Sequence, residues 1–217
     1  MINLNAIYSS PVLFALEPYH ALCDYVAGCT RRLDSSLYGD GHPVLVLPGL
    51  GVSGSATADL RMRLQLLGYA VYDWKHGINN GHGTDLDWRL QLLGDHLLEI
   101  NSEHDSTVSI IGWSLGGMYA REIAKEYPDV VRQVITLASP FGETDFSSRP
   151  LSEAPLVRSS SIYSQTDGIV NWESCVGDES VGHRNIEVKG VSHFGMVHHP
   201  DVLKVVAEIL KSPVLDD

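Results

Sequence analysis

The stretch that most constrains this chain is Gly112-Trp113-Ser114-Leu115-Gly116-Gly117, which follows the apolar run Val108-Ser109-Ile110-Ile111 and precedes a helix expected over Met118 to Tyr127. A serine with glycines two residues away on each side is what a sharp strand-to-helix turn requires. The serine backbone is strained there, and the helix must pass close to the strand. Such a turn presents a hydroxyl at a sheet edge. It also points the first amides of the following helix at the same spot, where their partial positive charge favours an oxyanion. The alternative is a glycine-rich turn in an unrelated α/β protein, with the serine merely capping the helix.

The surroundings of this turn read as alternating strands and helices. Pro43-Val44-Leu45-Val46-Leu47 is a continuous apolar run, as expected of a parallel strand buried on both faces. It ends in the turn Pro48-Gly49-Leu50-Gly51, after which Ser53 or Ser55 can cap a helix from Ala56 to Leu67, closed by Gly68. A second strand follows over Ala70 to Trp74. Thr84-Asp85-Leu86-Asp87 then begins a helix whose Leu86, Leu90, Leu93, Leu97 and Ile100 recur every three or four residues. Further strands are expected over Val131 to Leu137, Ser160 to Ser164 and Asn185 to Val188, and Pro200 occupies the first position of a last helix. About six mostly parallel strands with helices on both faces make a doubly wound α/β fold. Ala138 to Arg158, punctuated by Pro140, Pro150 and Pro155, is loop and too short for a separate cap domain.

A chain of 217 residues can hold one domain with a substantial core. The expected division is an N-terminal helical extension over 1–40 and the α/β domain over 41–217. In the extension, Leu13, Leu16, His20, Cys23, Val26 and Ala27 suggest a helix with a modest apolar face, which Pro18 begins or kinks. A support packed on the core or on a neighbouring chain is preferred over a mobile flap. A homo-oligomer through this helix and a membrane-surface arm are the partner roles considered. The net charge of −12 argues against nucleic acid, which needs a basic face. Cys23, Cys29 and Cys175 are odd in number, and Cys23 and Cys29 are six apart on one expected helix, poorly placed for a bridge. With no segment of eighteen apolar residues and no signal-like N-terminus, a cytoplasmic, soluble protein without an integral membrane segment is expected, although a mature secreted chain would look the same.

In such a sheet, function collects outside the carboxyl ends of the strands. A serine hydroxyl there needs an imidazole to take its proton, and the imidazole needs a carboxylate to hold its tautomer. Among ten histidines, His193 in Gly190-Val191-Ser192-His193-Phe194-Gly195 lies between the last strand and the last helix, within reach of the serine. His198 and His199, nearer the helix, should be turned away, and no spaced carboxylate or cysteine supports a metal site there. His76 and His82 belong to an early loop; His20, His96 and His104 are expected on helix surfaces. For the acid, Asp167 immediately follows the fifth strand, whereas Glu173 and Asp178 come later and Asp145 follows the wrong strand. Its structural alternative is a turn aspartate before Gly168.

Taken together, Leu47-Pro48-Gly49-Leu50-Gly51, Gly112 to Gly117, Ile162-Tyr163-Ser164 with Asp167 and Ile169-Val170, and Val191-Ser192-His193-Phe194-Gly195 resemble the α/β hydrolases, and among them the small lid-less bacterial lipases and esterases. The resemblance runs from about His42 to the C-terminus and leaves residues 1–40 without a counterpart. It implies a minimal α/β-hydrolase fold, the catalytic order Ser114, Asp167, His193, and hydrolysis of carboxylic esters through an acyl-enzyme with no cofactor. By position, the oxyanion-hole donors are the backbone N–H groups of Leu115 and Leu50, with Gly51 as an alternative to Leu50. Many relatives have His-Gly where this chain has Pro48-Gly49, and a histidine or small residue where Trp113 stands. The acyl pocket is expected to be shallow and lined by Leu50, Trp113, Phe141, Ile169, Val170 or Met196, for a small-molecule or lipid ester. Acyl transfer, thioester cleavage and polyester depolymerisation use the same triad; a hydrolase-fold receptor or scaffold is the non-enzymatic alternative.

Overall fold

The structure is a computed structural model that describes residues 9–30, 35–81, 86–141, 151, 153–179 and 182–212. The apolar runs form β1 (Pro43–Leu47), β2 (Ala70–Asp73), β3 (Val108–Trp113), β4 (Val131–Leu137), β5 (Ser159–Tyr163) and β6 (His183–Glu187). All pair in parallel in one six-stranded sheet of order β2-β1-β3-β4-β5-β6. Every residue of β1 and β3 is buried, because these central strands are covered on both faces.

The helices are α1 (Pro11–Thr30), α2 (Ala58–Leu66), α3 (Leu86–His104), α4 (Leu115–Glu126) and α5 (Pro200–Lys211). Strand alternation sorts α2 to α5 into two layers. Val44 and Val46 of β1 pack with Leu60 and Leu64 of α2 and Val206 and Leu210 of α5. Leu45 and Leu47 point the other way, onto Leu90, Leu93 and Leu97 of α3 and Ile123 of α4. Each fully buried Val or Leu contributes about 1.5–3 kcal/mol by leaving water, so the pattern of β1 alone commits the chain to a sheet between two helical layers. Between β4 and β5 the described residues form no helix or strand.

Local differences from the sequence expectation concern element ends. The helix expected from Ala56 begins instead as a 3-10 turn over Gly54–Thr57, capped by Ser53, whose Oγ accepts from Ser55 N. Thr84 and Asp85, the expected capping pair of α3, lie outside the described residues.

The N-terminal helix differs more. Pro18 lies inside α1, and Pro11 begins it. Its buried residues are Glu17, Asp24 and Gly28, whereas Leu16, Cys23 and Val26 of the expected apolar face are exposed. The inward face is polar because α1 does not rest on a strand layer. It rests on loop backbone at the carboxyl edge of the sheet, where unpaired N–H groups need acceptors.

The register brings this edge together. Leu47 of β1 lies beside Gly112 of β3, so the turn after β1 sits level with the turn after β3. A Cβ added to Gly49 would lie 3.2 Å from the Cβ of Ser114.

Candidate active site

Ser114 joins β3 to α4 with φ 53° and ψ −122°, a left-handed conformation costly for a residue with a Cβ. Two features hold it there. Ser114 N donates to Leu137 O at 2.8 Å, and Gly117 N donates to Ser114 O at 3.0 Å. Gly112 and Gly116 are required by close approach: a Cβ on Gly112 would strike the backbone of Gly116 and Gly117, and one on Gly116 would strike the Leu47 carbonyl. Ser114 remains partly exposed at the N-terminal end of α4.

His193 and Asp167 come from the loops after β6 and β5. His193 Nδ1 lies 2.8 Å from Asp167 Oδ2, and both side chains are almost fully buried. The second carboxylate oxygen, Oδ1, accepts from Ile169 N and Val170 N, each at 2.8 Å. These bonds orient the carboxylate and satisfy its charge out of water. With Nδ1 directed at Asp167, Nε2 is the ring nitrogen left for other chemistry.

Trp113 ties the histidine loop to the strand that leads into Ser114. Its indole Nε1 donates to His193 O at 3.1 Å, and the two rings are 5.4 Å apart. Expected to line a pocket, Trp113 is instead 2% exposed and fastens the histidine loop to the residue next to Ser114. Met196 is a second correction. It is fully buried within the core beneath α5 and offers no surface to a substrate, because the 3-10 turn Phe194–Val197 tucks it inward. Phe141 and Val170 are also buried; Phe141 lies beneath the Arg121 guanidinium at 4.0 Å. Leu50 is 60% exposed and Ile169 partly so.

At the turn after β1, Gly51 N donates to Asn79 O at 2.7 Å, so that amide is occupied. Asn79, fully buried, also donates through Nδ2 to Pro48 O at 2.9 Å.

Three of the competing histidines face other groups. His199 Nδ1 accepts from Asp201 N and caps α5, while His198 faces Asp59 at 3.5 Å. His96, expected on a helix surface, is buried, with Nε2 bonded to Asp73 O at 3.0 Å. His82 and Asp145 lie outside the described residues.

A bonded series of Ser, His and Asp side chains lies at the opposite end of the sheet. His42 Nε2 lies 2.8 Å from Ser109 Oγ and its Nδ1 2.5 Å from Asp40 Oδ1. Ser109 is fully buried in β3 and also accepts from Gln133 Nε2, so no acyl group can reach it. Access separates the two arrangements.

Sequence reasoning missed Glu17, Asp24 and Asn79. For the first two a signal was present: they are the only charged residues between Ser10 and Thr30, and they are seven apart, on one side of a helix. Among the described residues, no three His, Cys, Asp or Glu side chains are grouped to hold a metal ion, and no helix is long and apolar enough to cross a membrane.

No protein-family model matches the chain. Over 111 residues, 49% of its length, it is 32% identical to a pimeloyl-[acyl-carrier protein] methyl ester esterase of Shewanella woodyi, of which it spans only 41%. Lipase B of Aspergillus fumigatus superposes with a TM-score of 0.67 at 17% identity, over 83% of this chain and 55% of that one. A monoacylglycerol lipase from Paleococcus ferrophilus gives 0.57 at 15% identity, over 80% of this chain and 96% of its own. An alpha/beta superfamily hydrolase of Oenococcus oeni gives 0.61 at 14% identity, over 79% of this chain and 92% of its own, and with six parallel strands between helices the chain has the fold of the α/β-hydrolase superfamily.

Proposed function

We propose that the protein is a serine hydrolase of carboxylic esters acting through an acyl-enzyme. The observation that carries this reading is the buried His193 Nδ1 to Asp167 Oδ2 bond, fastened through Trp113 to the strained turn of Ser114. In the proposed reaction Ser114 Oγ attacks the acyl carbon while His193 Nε2 takes its proton. Asp167 stabilises the resulting imidazolium. The backbone N–H groups of Leu115 and Leu50 receive the oxyanion, each donor worth about 3–4 kcal/mol in the transition state. With Gly51 N already bonded to Asn79, Leu50 is the donor favoured in that turn. His193 then returns its proton to the leaving alkoxide. Water, deprotonated by the same imidazole, releases the acid and restores Ser114.

The esterase named above supports a small ester as substrate. The exposed Leu50 and the half-buried Ile169 offer an apolar seat for its acyl chain. Acyl transfer, thioester cleavage and polyester depolymerisation require no different catalytic group, so a substrate panel separates them. The exposed free thiols of Cys23 and Cys29 fit a reducing, cytoplasmic setting. Homo-oligomerisation through α1 has support in its outward face, where Val12, Phe14, Tyr19, Leu22 and Tyr25 are all more than half exposed; light scattering tests it.

The defining experiment is hydrolysis of short p-nitrophenyl esters by the wild type and Ser114→Ala. Loss of about 10⁶-fold in kcat is expected, with thermal unfolding little changed. A fluorophosphonate should add one adduct to the wild type and none to the variant. Activity surviving the substitution removes Ser114 from the mechanism.

A further inference from the structure

Helix α1 lies outside the order of strands that builds the candidate site, yet its two acidic side chains reach the backbone on both sides of His193. Glu17 Oε1 accepts from Phe194 N at 3.1 Å, and Glu17 Oε2 accepts from Gly168 N at 2.9 Å. One carboxylate thus joins the residue after the base to the residue after the acid. Two helical turns on, Asp24 Oδ2 accepts from Ser192 N at 2.8 Å and Ser192 Oγ at 2.6 Å. Ser192 Oγ in turn accepts from Gly195 N at 2.9 Å. Glu17 is 2% exposed and Asp24 5%.

The loops are shaped to admit these groups. A Cβ on Gly168 would lie 2.6 Å from Glu17 Oε2, and one on Gly195 would strike the Asp24 carboxylate. Ser9 adds a third tether: its Oγ donates to Asp167 O at 2.5 Å and its N donates to Ile169 O at 3.2 Å. Burial pushes the Glu17 carboxyl above its ordinary range, against the two backbone donors that favour its charged form; nearby Asp167 adds to the rise and His193 opposes it. An apolar side chain in its place would leave the Phe194 and Gly168 amides without an acceptor.

We propose that Glu17 is a positioning residue for the reaction, holding the loop that carries Asp167 against the loop that carries His193, with Asp24 fixing the other flank of the histidine. This rests on the roles assigned above to Ser114, Asp167 and His193. Binding of the acyl group is not involved, so the effect belongs in kcat.

The test compares the wild type with Glu17→Gln and Glu17→Ala by p-nitrophenyl ester kinetics, thermal unfolding, and the far-downfield proton resonance of the His193 Nδ1–H. At a temperature where all are folded, Glu17→Ala should lower kcat by roughly 100-fold, the scale of a small misplacement of reacting groups, with KM within about twofold. Glu17→Gln, whose amide oxygen can still accept one of the two N–H bonds, should recover part of that loss and keeps the test alive if the alanine variant does not fold. The resonance should broaden or vanish in both variants. A lowered melting temperature with wild-type kcat and an unchanged resonance would overturn the proposal. If the wild type cleaves no ester but its resonance is sharp and Glu17→Gln abolishes it, the positioning role stands and the ester reading falls.

Discussion

Asn79 uses both ends of its amide on backbone: Nδ2 donates to Pro48 O and Oδ1 accepts from Gly81 N at 3.2 Å. Its own main chain completes the clasp, with Asn79 N donating to Val52 O at 2.8 Å and its carbonyl accepting from Gly51 N. The turn that carries the Leu50 amide is therefore held at three of its residues by one side chain and its backbone. Asn79→Ala leaves the Pro48 carbonyl without this donor and should cost about 1–3 kcal/mol. Thermal unfolding should register that loss, and kcat should fall while KM changes little, because the oxyanion donor drifts. In the sequence Asn79 is indistinguishable from Asn80, which is exposed. Ser114 was legible because its requirement is local, a strained turn that glycines must flank.

At the scale of elements, β3 joins α4 by close backbone approach at Gly112 and Gly116. Gly116 packs its Cα side against the Leu47 and Pro48 carbonyls, so that α4 begins in contact with the end of β1. Gly116→Ala would push helix and strand apart. Backbone cannot move aside as a side chain tip can, so the cost should reach the upper part of the ~1–3 kcal/mol typical of overpacking. A fall in melting temperature of several degrees follows for a chain of this size, accompanied by loss of ester turnover as the Leu50 turn is displaced. The strands and α3 to α5 were readable because their burial follows hydropathy. Helix α1 was read only in part: Leu13, His20 and Ala27 of the expected face are half-buried, but the fully inward side chains are acidic, chosen by backbone donors at 168, 192 and 194 that only the assembled loops present.

For the whole molecule, two histidines at the N-terminal ends of the strands govern behaviour in acid. His183 is buried between Ser159 Oγ at 2.6 Å and Ser161 Oγ at 2.7 Å, and burial with the nearby Arg121 charge pushes its pKa down to about 4. Burial lowers His42 as well, against the pull of Asp40. Both stay neutral in the folded chain, while the unfolded chain takes up protons near the ordinary value of about 6.5. Their contribution to stability is therefore complete above about pH 6.5 and falls as the pH drops toward about 4, where folded His183 also protonates. Calorimetry across that window should show the melting temperature falling with acid, and His183→Gln should flatten the fall. Because the His42 ring meets Ser109 and Asp40 and the His183 ring meets Phe141, Ser159 and Ser161 rather than Asp167 or His193, initial rates measured where the protein remains folded should not follow the same curve.

Apolar runs, glycine spacing and backbone strain, all set by neighbours along the chain, were enough to give the succession of strands and helices, the doubly wound class and the turn at Ser114. Tertiary structure alone decided that Trp113 anchors the histidine loop, that Met196 belongs to the core and that α1 turns its carboxylates inward. Glu17 and Phe194 are 177 residues apart. No pattern in a single sequence states which donors will be left unpaired at such a distance, and those unpaired donors are what oriented the helix.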